Sequence, residues 1–260
     1  MQLHFYKYQG AGNDFIILDN RNSQYNGITE EQVKFLCDRR FGIGADGLMM
    51  LNSIEGYDFE MKYHNADGRE SSMCGNGGRC LVKFAAEMGI LRDEYRFLAT
   101  DGEHEASITE DGTVRLKMKD VYIIEHYNGD YILDTGSPHY VKYVNDIKDI
   151  DVVSEGMEIR YSEEFAEEGI NVNFVEIVND NTIRVRTYER GVENETFSCG
   201  TGVTACALIA YHNESGFNKV NVETTGGKLC VEYDKLDEDN FENIWLCGPA
   251  EKVFEGNINL

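Results

Sequence analysis

Prolines and basic residues are both scarce in this chain of 260 residues. Only two prolines occur, and no low-complexity linker is visible. The chain has 24 basic against 47 acidic residues, which gives a net charge of −23. Such a negative balance disfavours a nucleic-acid backbone or an anionic membrane as a partner. The chain also lacks an apolar run of the roughly 20 residues that a membrane-spanning helix needs, so none is expected.

Signals for secretion and for metal binding are missing as well. The N-terminal segment has no basic start followed by an apolar run, so we expect no signal peptide. The seven cysteines are an odd number, which favours reduced thiols and a cytoplasmic location. Neither Cys-x-x-Cys nor His-x-x-x-His spacing occurs, so no metal site is predicted.

Two of the cysteines share one local pattern. Cys74 precedes Gly75-Asn76-Gly77 and Cys199 precedes Gly200-Thr201-Gly202, and an apolar run of helical type follows each turn. A glutamate lies four residues before each cysteine, and these residues are Glu70 and Glu195. The two cysteines are 125 residues apart. A repeated thiol at a repeated helix start suggests two opposed acid/base groups around one substrate.

The repeat extends over long segments and predicts two similar domains. The alternating segment 60–65 has its counterpart in 184–189, at an offset of 124. Units of this length indicate two facing domains rather than a solenoid. We expect an N-terminal domain over 1–118, joined by a C-terminal strand over 249–260, and a second domain over 119–248.

Strands and helices mix without strict alternation, which favours an α+β fold. We predict two pseudo-symmetric domains, each a mostly antiparallel sheet wrapped around a central helix. Thr29 and Gln32 form a capping-box pattern at a helix start. A central helix follows Cys74 and stops near Gly89. The second covers 203–211, stops by Gly216 and is apolar on all sides, so it should be buried. Further strands are predicted at 96–100, 105–109, 114–118, 131–134, 140–144, 173–178, 220–224, 229–233 and 243–247.

The cysteine turns suit stereoinversion next to a carboxylate. A thiol at the first turn of a helix faces unpaired N–H groups and the positive end of the helix dipole, which favour thiolate. One sulfur can then remove an α-proton while the other protonates the opposite face. The scheme demands no cofactor. The backbone N–H groups that would hold the carboxylate belong to Gly75, Asn76, Gly200 and Thr201.

Simpler explanations exist for most of the other polar and thiol side chains. Asn13 and Asn65 fit ordinary turns, Glu189 and Arg190 fit a surface ion pair, and His139 fits a loop histidine. Arg79 and Arg190 are also candidates for local carboxylate binding. If Cys74 and Cys199 face each other, a disulfide between them would be an inactive oxidised form. Five cysteines fit small core residues, namely Cys37, Cys80, Cys206, Cys230 and Cys247.

The chain resembles the diaminopimelate epimerase family in several segments that occur in the family's order over nearly its whole length. The matching segments are Gly10-Ala11-Gly12-Asn13-Asp14-Phe15, Asn65-Ala66-Asp67-Gly68, Met73-Cys74-Gly75-Asn76-Gly77-Gly78-Arg79-Cys80, Glu189-Arg190-Gly191 and Cys199-Gly200-Thr201-Gly202. The resemblance implies a cofactor-independent enzyme that interconverts LL- and meso-2,6-diaminopimelate in lysine and peptidoglycan biosynthesis.

The resemblance also implies roles for individual residues. Cys74 and Cys199 would be the acid/base pair, with His139 and Glu189 tuning the thiols. Gly75, Asn76, Gly200 and Thr201 would hold the reacting carboxylate. The rest of this small-molecule substrate would be bound by Asn13, Asn65, Asn171, Glu189 and Arg190. The family commonly forms homodimers, so we expect one here.

Three positions depart from the family pattern. Ser137 stands where an asparagine is usual, Gly47 replaces a glutamine of some members, and the loop 191–196 is one residue longer. The first two bear on binding of the distal part of the substrate. The rival predictions are a proline-type racemase, a phenazine-type isomerase, and a non-catalytic ligand-binding or redox-sensing protein.

Overall fold

The computed structural model describes residues 2–210 and 214–260, and these residues form four α-helices and 18 strands. They divide into two units. The first unit comprises Met1–Leu116 with Gly248–Leu260, and the second comprises Lys117–Cys247. Within the described ranges, no helix is long and apolar enough to cross a membrane.

The first unit is a mixed sheet with a helix on each face. Its strands are β1 Gln2–Gly10, β2 Asn13–Asp19, β3 Gly47–Asn52, β4 Phe59–Asn65, β5 Glu70–Ser71, β6 Glu94–Ala99, β7 Gly102–Ile108, β8 Val114–Lys117 and β18 Glu251–Asn259. They pair in the order β18-β1-β2-β3-β4-β6-β7-β8, with β5 beside β4. The β2/β3 and β4/β6 pairs are parallel and the others are antiparallel.

Alternation along the strands places the two helices of this unit on opposite faces of the sheet. α1 (Glu30–Cys37) shares its core with Ile16 and Leu48. α2 (Gly75–Glu87) approaches the other face, where Phe15 and Met49 lie beside Gly77. The predicted capping box of α1 is confirmed, because Thr29 accepts from the Gln32 N–H and the Gln32 side chain accepts from the Thr29 N–H.

The second unit repeats this plan strand for strand. Its strands are β9 Ile124–Tyr127, β10 Asp130–Asp134, β11 Pro138–Tyr143, β12 Asn171–Asn179, β13 Thr182–Glu189, β14 Asn194–Thr196, β15 Gly216–Thr224, β16 Gly227–Lys235 and β17 Phe241–Gly248. They pair in the order β9-β10-β11-β12-β13-β15-β16-β17, with β14 beside β13. The parallel pairs, β11/β12 and β13/β15, again occupy equivalent places. The predicted α+β fold with two pseudo-symmetric sheets around central helices is thus confirmed.

The helices of the second unit differ from expectation at two points. The central helix α4 (Gly200–Leu208) is buried along almost its whole length, as predicted, but it ends before Gly216, which instead begins β15. The predicted end at Tyr211 falls outside the described residues. An additional helix, α3 (Val152–Arg160), packs on β12 and β13. Gly156 allows this approach, because a Cβ there would lie 2.4 Å from the Cβ of Tyr188.

Candidate active site

Cys74 occupies the N-cap position of α2. Its carbonyl accepts the first helical hydrogen bond, from the N–H of Gly78 at 2.7 Å. Among the described residues, its thiol makes no capping hydrogen bond to the helix. The first N–H groups of a helix have no intrahelical acceptor, so a cysteine in place of a capping residue leaves that end available to an anionic ligand.

Asn13 presents its carbonyl oxygen to the Cys74 thiol. Cys74 Sγ donates to Asn13 Oδ1 at 3.5 Å, and Asn76 Nδ2 donates to the same oxygen at 3.4 Å. The other end of the Asn13 amide, Nδ2, donates to Asp46 Oδ2 at 2.6 Å. An ionised carboxylate can only accept. Asp46 therefore fixes which end of the Asn13 amide faces the thiol.

A charged network holds Asp46 in place. Arg39 bridges Asp46 and Asp14, with Nη2 to carboxylate distances of 2.7 and 2.6 Å. Lys7, almost fully buried, pairs with Asp14 at 2.6 Å. Burial alone would raise the pKa of Asp14, but the hydrogen bonds and charges of Arg39 and Lys7 outweigh it and lower the pKa to about 2. Asp14 is therefore ionised at neutral pH, and Arg39 links it to Asp46, which orients Asn13.

Arg79 supports the start of α2 from inside. It is completely buried and donates to the carbonyl of Gly75 at 3.2 Å and to Asn76 Oδ1 at 2.7 Å. The expectation that Arg79 contributes to a local carboxylate site is therefore not met, because this side chain is enclosed. Instead it fixes the Asn76 amide, whose Nδ2 then faces Asn13.

Asn65 ends β4 and is exposed, opposite Gly47 in the β3/β4 register. The structure explains the glycine at position 47. A Cβ there would lie 2.5 Å from the ring of Tyr63 and 2.6 Å from the carbonyl oxygen of His64. A glutamine would clash with backbone as well as side-chain atoms, so this chain has no room for one at that position.

In the second unit, Cys199 occupies the N-cap of α4, the place that Cys74 has on α2. Its carbonyl accepts from the N–H of Val203 at 2.8 Å. Its Sγ lies 3.5 Å from the hydroxyl of Thr201, and either atom can be the donor. The carbonyl of Thr201 accepts from the hydroxyl of Thr135 at 2.8 Å, which ties the first turn of α4 to the end of β10.

Ser137 joins two of the predicted binding residues. Its Oγ accepts from Asn171 Nδ2 at 2.9 Å and from Arg190 Nη2 at 3.5 Å. Asn171 Oδ1 in turn accepts from the N–H of Arg190 at 2.9 Å. The Arg190 guanidinium also donates to the carbonyl of Glu168 at 2.9 Å. A short hydroxyl at position 137 is thus compatible with an ordered cluster at the ends of β12 and β13.

His139 and Glu189 lie in different surroundings. His139, in β11, is fully buried, and burial followed by the charge of Arg190 lowers its pKa to about 3. Glu189 is the last residue of β13 and is half-buried. The structure brings Asn13, Cys74 and Asn76 together in the first unit. In the second unit, Ser137, Asn171 and Arg190 come together, and so do Cys199 and Thr201.

The repeated glutamates upstream of the cysteines have a structural role. Glu195 pairs with Arg186 through both carboxylate oxygens at 2.7 Å. Glu70 lies 3.2 Å from Lys62 and accepts from the hydroxyl of Thr100 at 3.0 Å. Each ion pair tethers the short strand before a cysteine turn to its neighbour. Asp46 was not predicted from the sequence, because it approaches Asn13 only through the parallel pairing of β2 and β3.

The whole fold has counterparts among solved structures. A phenazine biosynthesis protein of the PhzF family from Bacillus anthracis superimposes with a TM-score of 0.78 over 100% of both chains, at 16% identity. A probable proline racemase from Agrobacterium radiobacter gives a TM-score of 0.66 over 99% of this chain and 93% of that one, at 15% identity. The protein is thus of the class with two repeated α+β units that these structures share.

Sequence relatives identify the family within that class. The diaminopimelate epimerase family model matches residues 5–124 and 131–253. The diaminopimelate epimerase of Flavobacterium psychrophilum is 45% identical, over 98% of this chain and 100% of its own length. That of Chlorobaculum tepidum is 44% identical, over 96% and 99%. This chain belongs to the diaminopimelate epimerase family, which confirms the resemblance drawn from its motifs.

Proposed function

We propose that this protein interconverts LL- and meso-2,6-diaminopimelate, with Cys74 and Cys199 as the acid/base pair. The observation that carries the proposal is the repeated placement of a cysteine at the N-cap of a glycine-led central helix, in a chain whose relatives are named for this activity. The lysine and peptidoglycan pathways that use these isomers are the expected setting.

In the proposed reaction, the N–H groups of Gly75, Asn76, Gly200 and Thr201 bind the reacting carboxylate of the substrate. Their partial positive charge stabilises the negative charge that develops on the carboxylate when the α-proton leaves. One cysteine, as thiolate, takes the α-proton. The other, as thiol, gives its proton to the opposite face of the same carbon, so the stereocentre inverts. The substrate loses one proton and gains one, and the two cysteines exchange their protonation states. The two thiols supply both base and acid, and no cofactor is required.

The remaining polar residues would recognise the rest of the substrate. Asn13, Asn65, Asn171, Glu189 and Arg190 offer amide, carboxylate and guanidinium groups that suit the ammonium and carboxylate of the distal amino acid centre. His139 and Glu189 are proposed to tune the thiols. Ser137 supports this set through its bonds to Asn171 and Arg190.

Proton exchange in D2O tests the proposal directly. Reduced protein with LL-diaminopimelate, and no added cofactor, should replace one α-proton by deuterium while the meso isomer appears in the proton NMR spectrum. Cys74→Ala and Cys199→Ala should each lower the rate by about 10² to 10⁴-fold, the usual worth of a positioned acid or base. Cys230→Ala, in β16, is the matched control and should retain activity. Full activity in either of the first two variants contradicts the two-thiol mechanism.

We further infer a homodimer that works in the cytoplasm, with domains over 1–118 plus 249–260 and over 119–248. Reactive thiols of this kind are kept reduced in the cytosol. β18 exposes Val253 and Phe254, apolar side chains that a second copy can cover. Light scattering on the eluting peak of a sizing column should give twice the 29.5 kDa chain mass. A peak at one chain mass across the working concentration range contradicts the dimer.

A further inference from the structure

Asn173 contacts the buried ring of His139 and determines how that ring can be protonated. The Nδ2 of Asn173 lies 3.1 Å from His139 Nδ1 and 3.0 Å from the carbonyl oxygen of Tyr140. A backbone carbonyl can only accept. The Asn173 atom between them is therefore the NH2 group, and each of its two hydrogens has one acceptor. His139 Nδ1 must accept.

The other end of the Asn173 amide is fixed as well. Its Oδ1 accepts from the hydroxyl of Thr187 at 2.9 Å, and Thr187 is directly opposite Asn173 in the β12/β13 register. Asn173 is completely buried and Thr187 is 3% exposed. Rotation of the amide would turn its oxygen towards the carbonyl oxygen of Tyr140, so that two acceptors would face each other without a donor between them. Three adjacent strands thus hold a relay of Thr187, Asn173 and His139.

The relay leaves one donor unused. If His139 Nδ1 accepts, the proton of the neutral imidazole is on Nε2. Over residues 2–210 and 214–260, His139 Nε2 is buried and has no hydrogen-bond partner. A buried donor without an acceptor destabilises the protein, so the Nε2–H group is expected to have a partner when a ligand is bound.

The ring is placed beside the helix that begins at Cys199. A Cβ on Gly202, in the first turn of α4, would lie 3.3 Å from His139 Cε1 and 2.4 Å from Asn173 Oδ1. Cε1 is bonded to Nε2, so the unused N–H is next to this first turn. The last residue of the Cys-Gly-Thr-Gly motif is thus a glycine because Asn173 and His139 pack directly against it.

We propose that Asn173 and Thr187 are positioning residues, which hold His139 as the neutral Nε2–H tautomer so that it donates a hydrogen bond to the anionic group in the site. His139 then neither takes up nor releases a proton during turnover. This role for the N–H rests on the proposed function, whereas the tautomer is a property of the folded protein by itself.

Long-range 1H–15N correlation spectra of 15N-histidine-labelled protein at neutral pH test the tautomer. The signals of His139 are assigned by their loss in His139→Gln. The expected wild-type pattern is a protonated Nε2 and an unprotonated Nδ1. Asn173→Asp places an acceptor opposite Nδ1 and should move the proton to Nδ1. Asn173→Ala removes the donor and should give a mixture of both tautomers. Asn179→Asp, at the exposed end of the same strand, should retain the wild-type pattern.

A wild-type His139 protonated on Nδ1, or on both nitrogens, overturns the proposal. An unchanged protonation pattern in both Asn173 variants also overturns the proposal. If the buried aspartate prevents Asn173→Asp from folding, Asn173→Ala alone provides this test. Activity gives the second readout: His139→Leu should lower kcat by about 10²-fold, the size expected for loss of one oriented donor, and His139→Gln, which keeps an N–H, should lose less. If His139 has the expected tautomer but the protein shows no α-proton exchange, the proposed function is refuted, whereas the positioning of His139 by Asn173 and Thr187 is still supported.

Discussion

Gly202 and Gly77 occupy equivalent positions in the two central helices, 125 residues apart, and alanine should destabilise the protein at position 202 but hardly at position 77. In a helix interior, alanine is favoured over glycine by about 1 kcal/mol. At position 202 the new methyl would lie 2.4 Å from Asn173 Oδ1. Asn173 cannot retreat, because its amide is bonded at both ends. At position 77 the nearest atom is Met49 Sδ, at 3.1 Å, and a methionine side chain adapts easily.

The magnitude follows from what must move. Relieving the contact at position 202 breaks at least one hydrogen bond of Asn173 and leaves a buried group unsatisfied, at about 1–3 kcal/mol for each such group. Overpacking adds about 1–3 kcal/mol. After the gain of about 1 kcal/mol in helix propensity, Gly202→Ala should be destabilised by about 1–5 kcal/mol, with a midpoint of about 3 kcal/mol. Gly77→Ala should stay within about 1 kcal/mol of the parent, in either direction.

Thermal unfolding followed by circular dichroism checks the pair. One kcal/mol shifts Tm by about 2 to 4 °C in chains of 150–250 residues, so a loss of about 3 kcal/mol should lower the Tm of Gly202→Ala by about 6 to 12 °C. Gly77→Ala should unfold within a few degrees of it. Equal Tm values for Gly202→Ala and the parent, or an equally large drop for Gly77→Ala, would show that the rigidity of Asn173 does not decide the outcome.

Two further predictions concern the ionised network of the first unit. Asp46→Ala removes the acceptor that orients Asn13 and should lower kcat/KM about tenfold, the equivalent of about 1.4 kcal/mol. The control Asp239→Ala, on the exposed acidic loop, should leave kcat/KM unchanged. Equal kcat/KM values for the two variants would show that Asp46 does not contribute to the site. The lowered pKa of Asp14 means that its ionisation stabilises the fold above about pH 4 and that this contribution is lost as the pH falls from about 4 towards 2. Urea unfolding should therefore show that Asp14→Asn is less stable at pH 7 and loses less stability over that acid range, and parallel pH curves for parent and variant would contradict this.

Local signals in the sequence predicted much of the fold because they act over a few residues. The Thr29 and Gln32 pair marked the start of α1, and Gly89 marked the end of α2, where its φ is +88°. The α3 helix was not predicted, because Gly156 weakens the helical pattern of its sequence. The glycine is needed for contact with Tyr188, which lies in the distant strand β13. Arg79 remained a candidate for carboxylate binding because a sequence does not show whether an arginine beside a glycine turn points inwards.

In the candidate site too, residues marked by local sequence patterns were predicted, and residues placed by contacts between distant strands were not. Both cysteines were predicted from their turns, and Cys74 and Cys199 indeed begin the central helices. Asn173 gave no such signal, since an asparagine inside a strand resembles any polar residue of that strand. Its contacts come from β11 and β13, so they depend on the register of three strands.

The first unit is closed by two strands that are far apart in the sequence. β1 pairs with β18 from Gln2 and Asn259 to Gln9 and Glu251, and the whole second unit lies between these two strands. The second unit is one continuous stretch, Lys117–Cys247. Domains generally fold as units during synthesis. On the ribosome, the first unit therefore lacks its edge strand β18 until the whole second unit has been synthesised, whereas the second unit has its complete chain before β18 is made.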